Sequence, residues 1–435
     1  MTPASALRRS AARLDDLLRY RRTPQAIQSL LRLARTMALP ARHPGWLEHA
    51  CAAARCAPSQ EWMRVVEGWT LARLDRLSRA DLWSWQEPET PQVGVAKAAI
   101  LKPSSERERG VLFISFESQW QHLLRLGPHR LAALAARYQL VVAPTWSPPH
   151  SVTNYLFPRL HPGTLPCTIS NVEDLRIFPR LHPSYEPVQL FASSWVNASL
   201  YQPQPREKRD IDLVMVANFG RYKRHHVLFS ALARMPPAQR PKVTLIGQPH
   251  GQRTVQVLER EMHDHGVRDC ITLRSRISDA EVVDLLGRSK AALITSLREG
   301  SCVAVVEAMM ADTPIALLKG ACIGSACFIQ EQTGAFLNED RLPEELPAFI
   351  SAARDLTPRR RLLELGVEHE SSTRLLEEHL KSLALSRGEP WTRGLFAHHW
   401  RPDPVIADSS QAREAAQAAS RLATEFGLLL NPPKS

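Results

Sequence analysis

Several common signatures are missing from this sequence. The seven cysteines (Cys51, Cys56, Cys167, Cys270, Cys302, Cys322 and Cys327) are odd in number and scattered, with no Cys-x-x-Cys spacing. They support neither a disulfide framework nor a zinc site, and read as reduced, buried thiols of a cytosolic protein. No apolar run approaches the ~18 residues that a transmembrane helix needs. The opening MTPASALRRSAARLDDLLRYRR has no apolar core or small-residue cleavage site, and Asp15 and Asp16 argue against an acid-poor transit peptide. No Gly-x-Gly-x-x-Gly follows any apolar run, which sets aside a nicotinamide oxidoreductase. Lysine is scarce: only nine of the 55 basic residues are lysine, and the rest are arginine.

What is present is a basic, otherwise average globular composition. Hydrophobic residues make up 44% of the 435 and charged residues 23%, with a net charge of +11, so wholesale disorder, collagen and coiled coil drop out. At roughly 150 residues per domain, two to three domains are expected. The positive surplus could serve nucleic acid, an anionic membrane surface or a polyanionic small molecule such as a nucleotide diphosphate. Arginine suits bidentate phosphate recognition, but it is also what a GC-rich genome writes. No nucleic-acid-binding motif accompanies the charge, and no nucleic-acid partner is expected.

Residues 1–88 read as a helical extension, with Leu, Ala and Arg at three- and four-residue spacings and Thr23-Pro24 as a helix start. The arginine-rich first helix could lie on an anionic membrane, but packing against a neighbouring domain is the commoner fate of such a helix. From Arg109 short apolar runs suggest buried strands: VLFISF (111–116), LVVAPTW (140–146), PCTISN (166–171) and VQLFASSW (188–195). Residues 89–205 therefore form one βα domain, ending in the polar, proline-bearing linker QPQPREKRD. A second alternating set fills residues 206–375: IDLVMVANF, KVTLIG, CITLRS, AALITS and PIALL as strands with helices between them. Ser278 with Glu281 three positions on is a capping box that fixes one helix start. Residues 376–435 read as a helical tail with a Trp-rich irregular piece before a last helix near 410–429.

The sharpest chemical pattern is TSLREGSCVAVVEAMMADTPIALL. A strand end, a short loop and a helix start form a geometry that binds phosphate through helix amides and the helix dipole. Glu299 falls in that loop and Glu307 one to two turns into the helix, at the carboxyl end of the strands where open α/β sheets bind ligands. Carboxylates so placed suit gripping sugar and ribose hydroxyls better than paired acid/base work across a glycosidic bond. A second pattern, VANFGRYKRHHVLFSAL, leaves a strand through Gly220 and presents Arg221, Lys223 and Arg224 at a helix entrance. Cations on that edge can stabilise a diphosphate as it departs with negative charge.

These residues resemble the nucleotide-sugar domain of the retaining family 4 (group 1) glycosyltransferases, most strongly over residues 210–316. The resemblance implies an α/β fold of the GT-B type: two Rossmann-like βα domains facing a cleft, here with a helical amino-terminal extension and a helical carboxyl-terminal segment. Lys223 and Arg221 match the family's basic pair, Glu299 the carboxylate at the donor sugar, and Glu307 the one at the ribose. Arg224 is grouped with the basic pair at the diphosphate. Ser296 matches the serine at the strand end before Glu299, Ile277 the residue whose main chain meets the base, and Gly247 the glycine closing the next strand. Gly300 follows Glu299 as in the family, whereas Ser301-Cys302-Val303 replaces the commoner Phe-Gly-Leu. The amino-terminal domain departs further. No glycine pair follows FISF, leaving Glu117, Gln119 or Trp120 to fill that space, and His150 is the nearest candidate for the histidine that approaches the donor sugar.

The resemblance implies a hexosyltransferase that uses a nucleotide-sugar donor, a glycan or lipid-linked glycan acceptor, and retention of configuration. No cofactor or metal is expected, because the basic pair and helix amides supply the positive field. A cytoplasmic location and a role in polysaccharide biosynthesis go with it, with peripheral membrane contact through the arginine-rich amino terminus. The alternatives are a nucleotide-sugar epimerase or other GT-B enzyme, or a nucleotide-sugar-binding protein that has lost catalysis.

Overall fold

The computed structural model describes residues 3–146, 148–401 and 403–431. They form two compact units, and neither is continuous in sequence. One joins residues 17–195 to 369–431, the other residues 3–16 to 196–368. This division differs from the expected boundaries at both ends: the carboxyl-terminal segment belongs with the amino-terminal sheet, and residues 3–16 go with the second.

The unit of residues 17–195 and 369–431 is built on five strands in sequential order: Ala98–Lys102 (β1), Gly110–Ser115 (β2), Tyr138–Ala143 (β3), Leu165–Cys167 (β4) and Tyr185–Pro187 (β5). β1 runs antiparallel to β2, and the remaining neighbours are parallel. Four helices between Arg22 and Trp83 precede the sheet. The first of these, Arg22–Ala38, starts one residue before Thr23-Pro24 and has no side-chain cap. The first turn has no helical partner for its N–H groups, so Pro24 fits inside it. VQLFASSW is not a strand. The Val188 N–H donates to the Cys167 carbonyl and the Leu190 carbonyl accepts from the Ile169 N–H, both at 2.8 Å, but the Leu190 N–H turns back to the Val188 carbonyl at 2.7 Å. The Phe191 N–H donates to Ser194 Oγ at 3.1 Å, and the chain closes into a 3-10 turn at Ala192–Trp195.

Aromatic stacking explains why the carboxyl-terminal segment belongs to this unit. The His398 ring lies 4.1 Å from the Trp195 ring and 4.9 Å from that of Phe113 on β2. The Trp-rich piece expected to be irregular holds a two-stranded antiparallel pair, His398–Arg401 with Asp403–Ile406. At the far end Leu428–Leu430 pairs in parallel with Val93–Val95, and Asn431 exchanges hydrogen bonds with the Ala98 main chain.

The other unit carries six parallel strands: Ile211–Val216 (β6), Val243–Gly247 (β7), Ile271–Ser275 (β8), Ser289–Ile294 (β9), Ile315–Leu318 (β10) and Gly334–Leu337 (β11). Their spatial order is β11-β10-β9-β6-β7-β8. The chain thus builds outward from β6 to β8, then returns to the other side of β6 with β9. The reversal lies between β6 and β9, which pair in parallel with Ala292 opposite Val214. Alternate residues of these strands, among them Leu213, Met215, Leu245 and Leu293, enter one core with Leu228, Leu232 and Leu258 of the flanking helices. The capping box stands as expected at Asp279–Gly287, with Ser278 and Glu281 bonding each other's main chain. Both units are mixed α/β with Rossmann-like βα alternation, the expected fold class.

Each unit also buries a histidine whose ring is held neutral. Burial pushes the pKa of His225 and of His398 down to about 3 from 6.5. Between those values the unfolded chain binds protons that the folded rings refuse. Stability is therefore complete above pH 6.5 and falls on acidification, by up to about 1.4 kcal/mol per pH unit per ring. Urea unfolding monitored at pH 7.5 and 5.5 is expected to show lower midpoints at the acid pH. Equal midpoints would contradict this burial.

Candidate functional site

The reversal between β6 and β9 is where an open α/β sheet offers a crevice at its carboxyl edge. Two chain segments leave the sheet there. After β6 the chain turns at Asn218, whose side chain accepts from the Gly220 N–H at 2.9 Å and donates to the Tyr222 hydroxyl at 2.7 Å. A Cβ on Gly220 would lie 2.5 Å from the Tyr222 ring, so the close turn needs glycine. A 3-10 turn, Arg221–Lys223, follows, and Arg224 adopts a left-handed conformation (φ +53°) that starts the helix His225–Arg234. After β9, Thr295 locks the two segments together: its hydroxyl donates to the Lys223 carbonyl at 2.7 Å.

The second segment, residues 297–301, is stitched to the loop after β10. The Cys322 N–H donates to the Leu297 carbonyl at 2.8 Å, the Glu299 N–H to the Cys322 carbonyl at 3.1 Å, and the Gly324 N–H to the Gly300 carbonyl at 2.7 Å. Ser301 is buried and its carbonyl accepts from the Ser325 N–H. Cys302, at φ +51°, then opens the helix Val303–Met310, which has no side-chain cap. The helix start thus keeps the dipole end that favours an anion.

These segments bring Lys223 and Glu299 together. The Lys223 Nζ donates to Glu299 Oε2 at 2.5 Å, and both side chains are about nine-tenths buried. Burial works against the ammonium, but Cys302 and Glu299 beside it outweigh that and hold the Lys223 pKa above its ordinary value. The other carboxylate oxygen, Glu299 Oε1, is buried and accepts no N–H or O–H hydrogen bond; the hydroxyls of Ser296 and Ser275 are likewise buried without partners. All three lie at or just beyond the carboxyl ends of strands in this one sheet. Buried polar atoms are rarely left in this state unless a ligand or water completes them.

Glu307 lies on the helix after Glu299, and its Oε1 accepts from the Tyr201 hydroxyl at 3.1 Å. Burial raises its pKa, and the Tyr201 hydrogen bond only partly offsets this. Gly247 ends β7 where a Cβ would lie 2.0 Å from the Ala217 carbonyl oxygen, so it lets β7 pass close beside the turn after β6. Its carbonyl accepts from the Arg276 N–H at 3.3 Å, which brings the half-buried Ile277 loop to the same edge.

Three expected residues lie elsewhere or are otherwise engaged. Arg221 is exposed, 3.7 Å from Asp15. Arg224 is not open to a diphosphate as expected: it is buried, its Nε donates to Asp16 at 2.9 Å, and an Nη donates to Glu339 at 2.9 Å. His150 belongs to the other unit, where its carbonyl accepts from Arg55. In that unit Glu117 fills the space after the first parallel strand, accepting from the N–H groups of Thr145 and Trp146. Nothing in the sequence marks Tyr201, Asp16 or Thr295 as part of this edge. The first two lie far from the motif in sequence, and Thr295 looked like an ordinary strand residue. The first helix packs on this unit through Asp16 and through Arg8, which pairs with Asp264 at 2.6 Å. The chain does contain one Asp-x-Asp, at residues 210–212, but it lies at the opposite end of β6, with Asp210 on Arg288 and Asp212 on Lys290.

Residues 199–359 match the family model described as glycosyl transferases group 1. This segment carries the group 1 glycosyltransferase signature. It contains every residue of the carboxyl-edge cluster, from Tyr201 to Ser325. No match is found among curated proteins. Among solved structures, the chain is similar to sucrose-phosphate synthase from Thermosynechococcus elongatus, with 16% identity, 63% of this chain and 74% of that one covered, and a TM-score of 0.49. It is also similar to Anabaena HepE solved with UDP and glucose (17%, 62% and 78%, TM-score 0.48). The pneumococcal O-GlcNAc transferase GtfA, solved with UDP and GlcNAc, is matched at 14% identity over 59% of this chain and 54% of that one, with a TM-score of 0.44.

Tyr201→Phe removes the one hydroxyl that donates to Glu307 and leaves a buried acceptor short of a partner. The variant is expected to lose about 2 kcal/mol of stability and to push the Glu307 pKa higher still. Denaturant unfolding read alongside a carboxyl-carbon NMR titration checks both. An unmoved titration would show that the hydrogen bond does not govern this carboxylate.

Proposed function

We propose that this chain is a retaining glycosyltransferase that moves a sugar from a nucleotide diphosphate sugar to a glycan or lipid-linked glycan acceptor. The observation that carries the reading is the buried Lys223–Glu299 pair, with its unpartnered carboxylate oxygen, at the strand-order reversal inside the group 1 segment. Lys223 would neutralise the diphosphate as it departs, aided by the amide end of the helix Val303–Met310 and by Arg221. Glu299 would keep Oε2 on Lys223 and offer Oε1 to a hydroxyl of the donor sugar. That would fix sugar and phosphate in one geometry. Ser296 would donate to the donor, the main chain of Gly300 and Ser301 would pass close to it, and Glu307 would accept from the ribose hydroxyls. The base would meet the main chain at Ile277, and Gly220 and Gly247 would leave room along the edge.

In this reading the bond from the anomeric carbon to the phosphate oxygen breaks while a bond to the acceptor oxygen forms on the same face. The acceptor proton passes to the departing phosphate oxygen, so no protein base is required. No metal enters the proposal, because the positive field comes from the chain itself. Lys223→Ala and Glu299→Ala are each expected to lower kcat about 100-fold or more, with the fold intact by circular dichroism. A thermal-shift screen with UDP-, GDP- and ADP-sugars identifies the donor, and no shift with any of them would sink the assignment. Acceptor-free turnover to an epimer would instead select the epimerase reading.

A cytoplasmic membrane surface is the proposed working place. No helix of the described residues is long and apolar enough to cross a membrane. Leu7, Leu14, Leu17 and Leu18 are exposed on one face of the helix Pro3–Tyr20, as are Ile27, Leu30 and Leu31 on Arg22–Ala38. Arginines flank both stripes, the pattern of a helix that lies in an anionic interface. Co-sedimentation with phosphatidylglycerol vesicles, and its loss with pure phosphatidylcholine, is the expected outcome. Equal recovery in both supernatants would remove membrane contact from the proposal.

A further inference from the structure

A cavity of about 580 Å3 lies away from the site above. Its walls come from the amino-terminal ends of the strands: Arg209 just before β6, Asp212 on it, Arg240 and Pro241 before β7, and Lys290 at the start of β9. The six-residue strand β6 separates this edge from the turn that carries Lys223 by about 20 Å. The volume suits a small organic ligand.

The lining is both cationic and apolar. Five cations (Arg206, Arg209, Arg240, Lys290 and Arg354) and two acids, Glu207 and Asp212, line it; outside the lining, Asp312 pairs with Arg206, Asp269 with Arg240 and Asp355 with Arg354. Between them Pro241, Pro347 and Ile350 supply an apolar wall. Arg240 is the informative member. Its side chain is 10% exposed, its Nη1 donates to the Gly266 carbonyl at 2.7 Å and lies 3.5 Å from the exposed Asp269 carboxylate, and its Nε is buried with no acceptor. A guanidinium held by one face with an unanswered N–H on another is a preset donor for an anionic oxygen. Lys290 (44% exposed) and Arg354 (78% exposed) stand over the same space, with only Asp212 and Asp355 as anionic partners. An incoming anion can compete with such partially solvated pairs.

From this we infer a second ligand site at the amino-terminal edge of the six-stranded sheet, which takes a small organic phosphate whose apolar body lies on Pro241 and Ile350 while its phosphate meets Arg240, Lys290 and Arg354. The inference is independent of the proposed transferase reaction, because it uses none of the residues at the carboxyl edge.

Phenyl phosphate is the probe, with phenol as its neutral counterpart, titrated calorimetrically into the full chain. The variants are the double substitution Lys290→Ala/Arg354→Ala, both at partly exposed positions, and Lys223→Ala at the other edge. Saturable binding of phenyl phosphate that weakens at least tenfold in the double variant, stays within twofold in Lys223→Ala, and is absent with phenol is the expected result. Arg240→Gln should weaken it too, provided its melting temperature matches the parent. No saturable binding, equal binding of phenol, loss in Lys223→Ala, or binding untouched by the double variant would each overturn the site.

Discussion

The buried contact between Lys223 and Glu299 sets the terms for the rest of the six-stranded unit. Removing an ammonium and a carboxylate from water costs several kcal/mol per ion, and an apolar pair of the same volume would serve stability as well or better. The fold nevertheless assembles the contact from two strands that are neighbours only because the chain reverses direction around β6. The Thr295 hydroxyl on the Lys223 carbonyl, the left-handed Arg224 and the stitching of 297–301 to the Cys322 loop all fix the backbone that presents these two side chains. A one-residue slip between β6 and β9 would reverse the side-chain faces and separate them.

The same turn shows how the positive surplus is used. Arg224 is one residue from Lys223 yet is drawn inward by Asp16 and Glu339, so it anchors the first helix instead of facing a ligand. Many other arginines satisfy carbonyl groups and need no acid. Arg73 reaches the carbonyls of Thr36 and Leu39, Arg79 that of Leu160, and Arg130 those of Leu126 and Thr90. A guanidinium that serves neutral acceptors adds a charge without a partner. Much of the +11 is therefore structural, a role that lysine, with its single nitrogen, fills poorly.

This accounts for what could be read in advance and what could not. The strands β6 to β10 stood out because each is a short apolar run bounded by turn residues, and the capping box at Ser278 because its two halves are three residues apart. Lys223 and Glu299 were legible as motif members. β1 and β11 escaped notice: β1 lacks a strand–helix alternation to announce it, and Gly334–Leu337 is a short edge with an exposed Phe336. VQLFASSW has the composition of a strand, but the Leu190 N–H turns back onto the Val188 carbonyl and the Phe191 N–H goes to Ser194. Arg224 was misplaced because its partners, Asp16 and Glu339, are about 200 and 100 residues away, and no local pattern connects them.

The two glutamates of one motif end in opposite surroundings. Glu299 faces an ammonium, whereas Glu307, two turns further along, accepts from the neutral Tyr201 hydroxyl and has its pKa raised by burial, with the Asp279 charge adding a smaller push the same way. A carboxylate tied to a cation holds its position while charge develops nearby. One left among neutral donors gains most when further neutral hydroxyls arrive to share its negative charge. The chemistry each can do is therefore set by the partner the fold supplies. That partner comes from the turn after β6 for Glu299 and from the chain entering the unit at Tyr201 for Glu307.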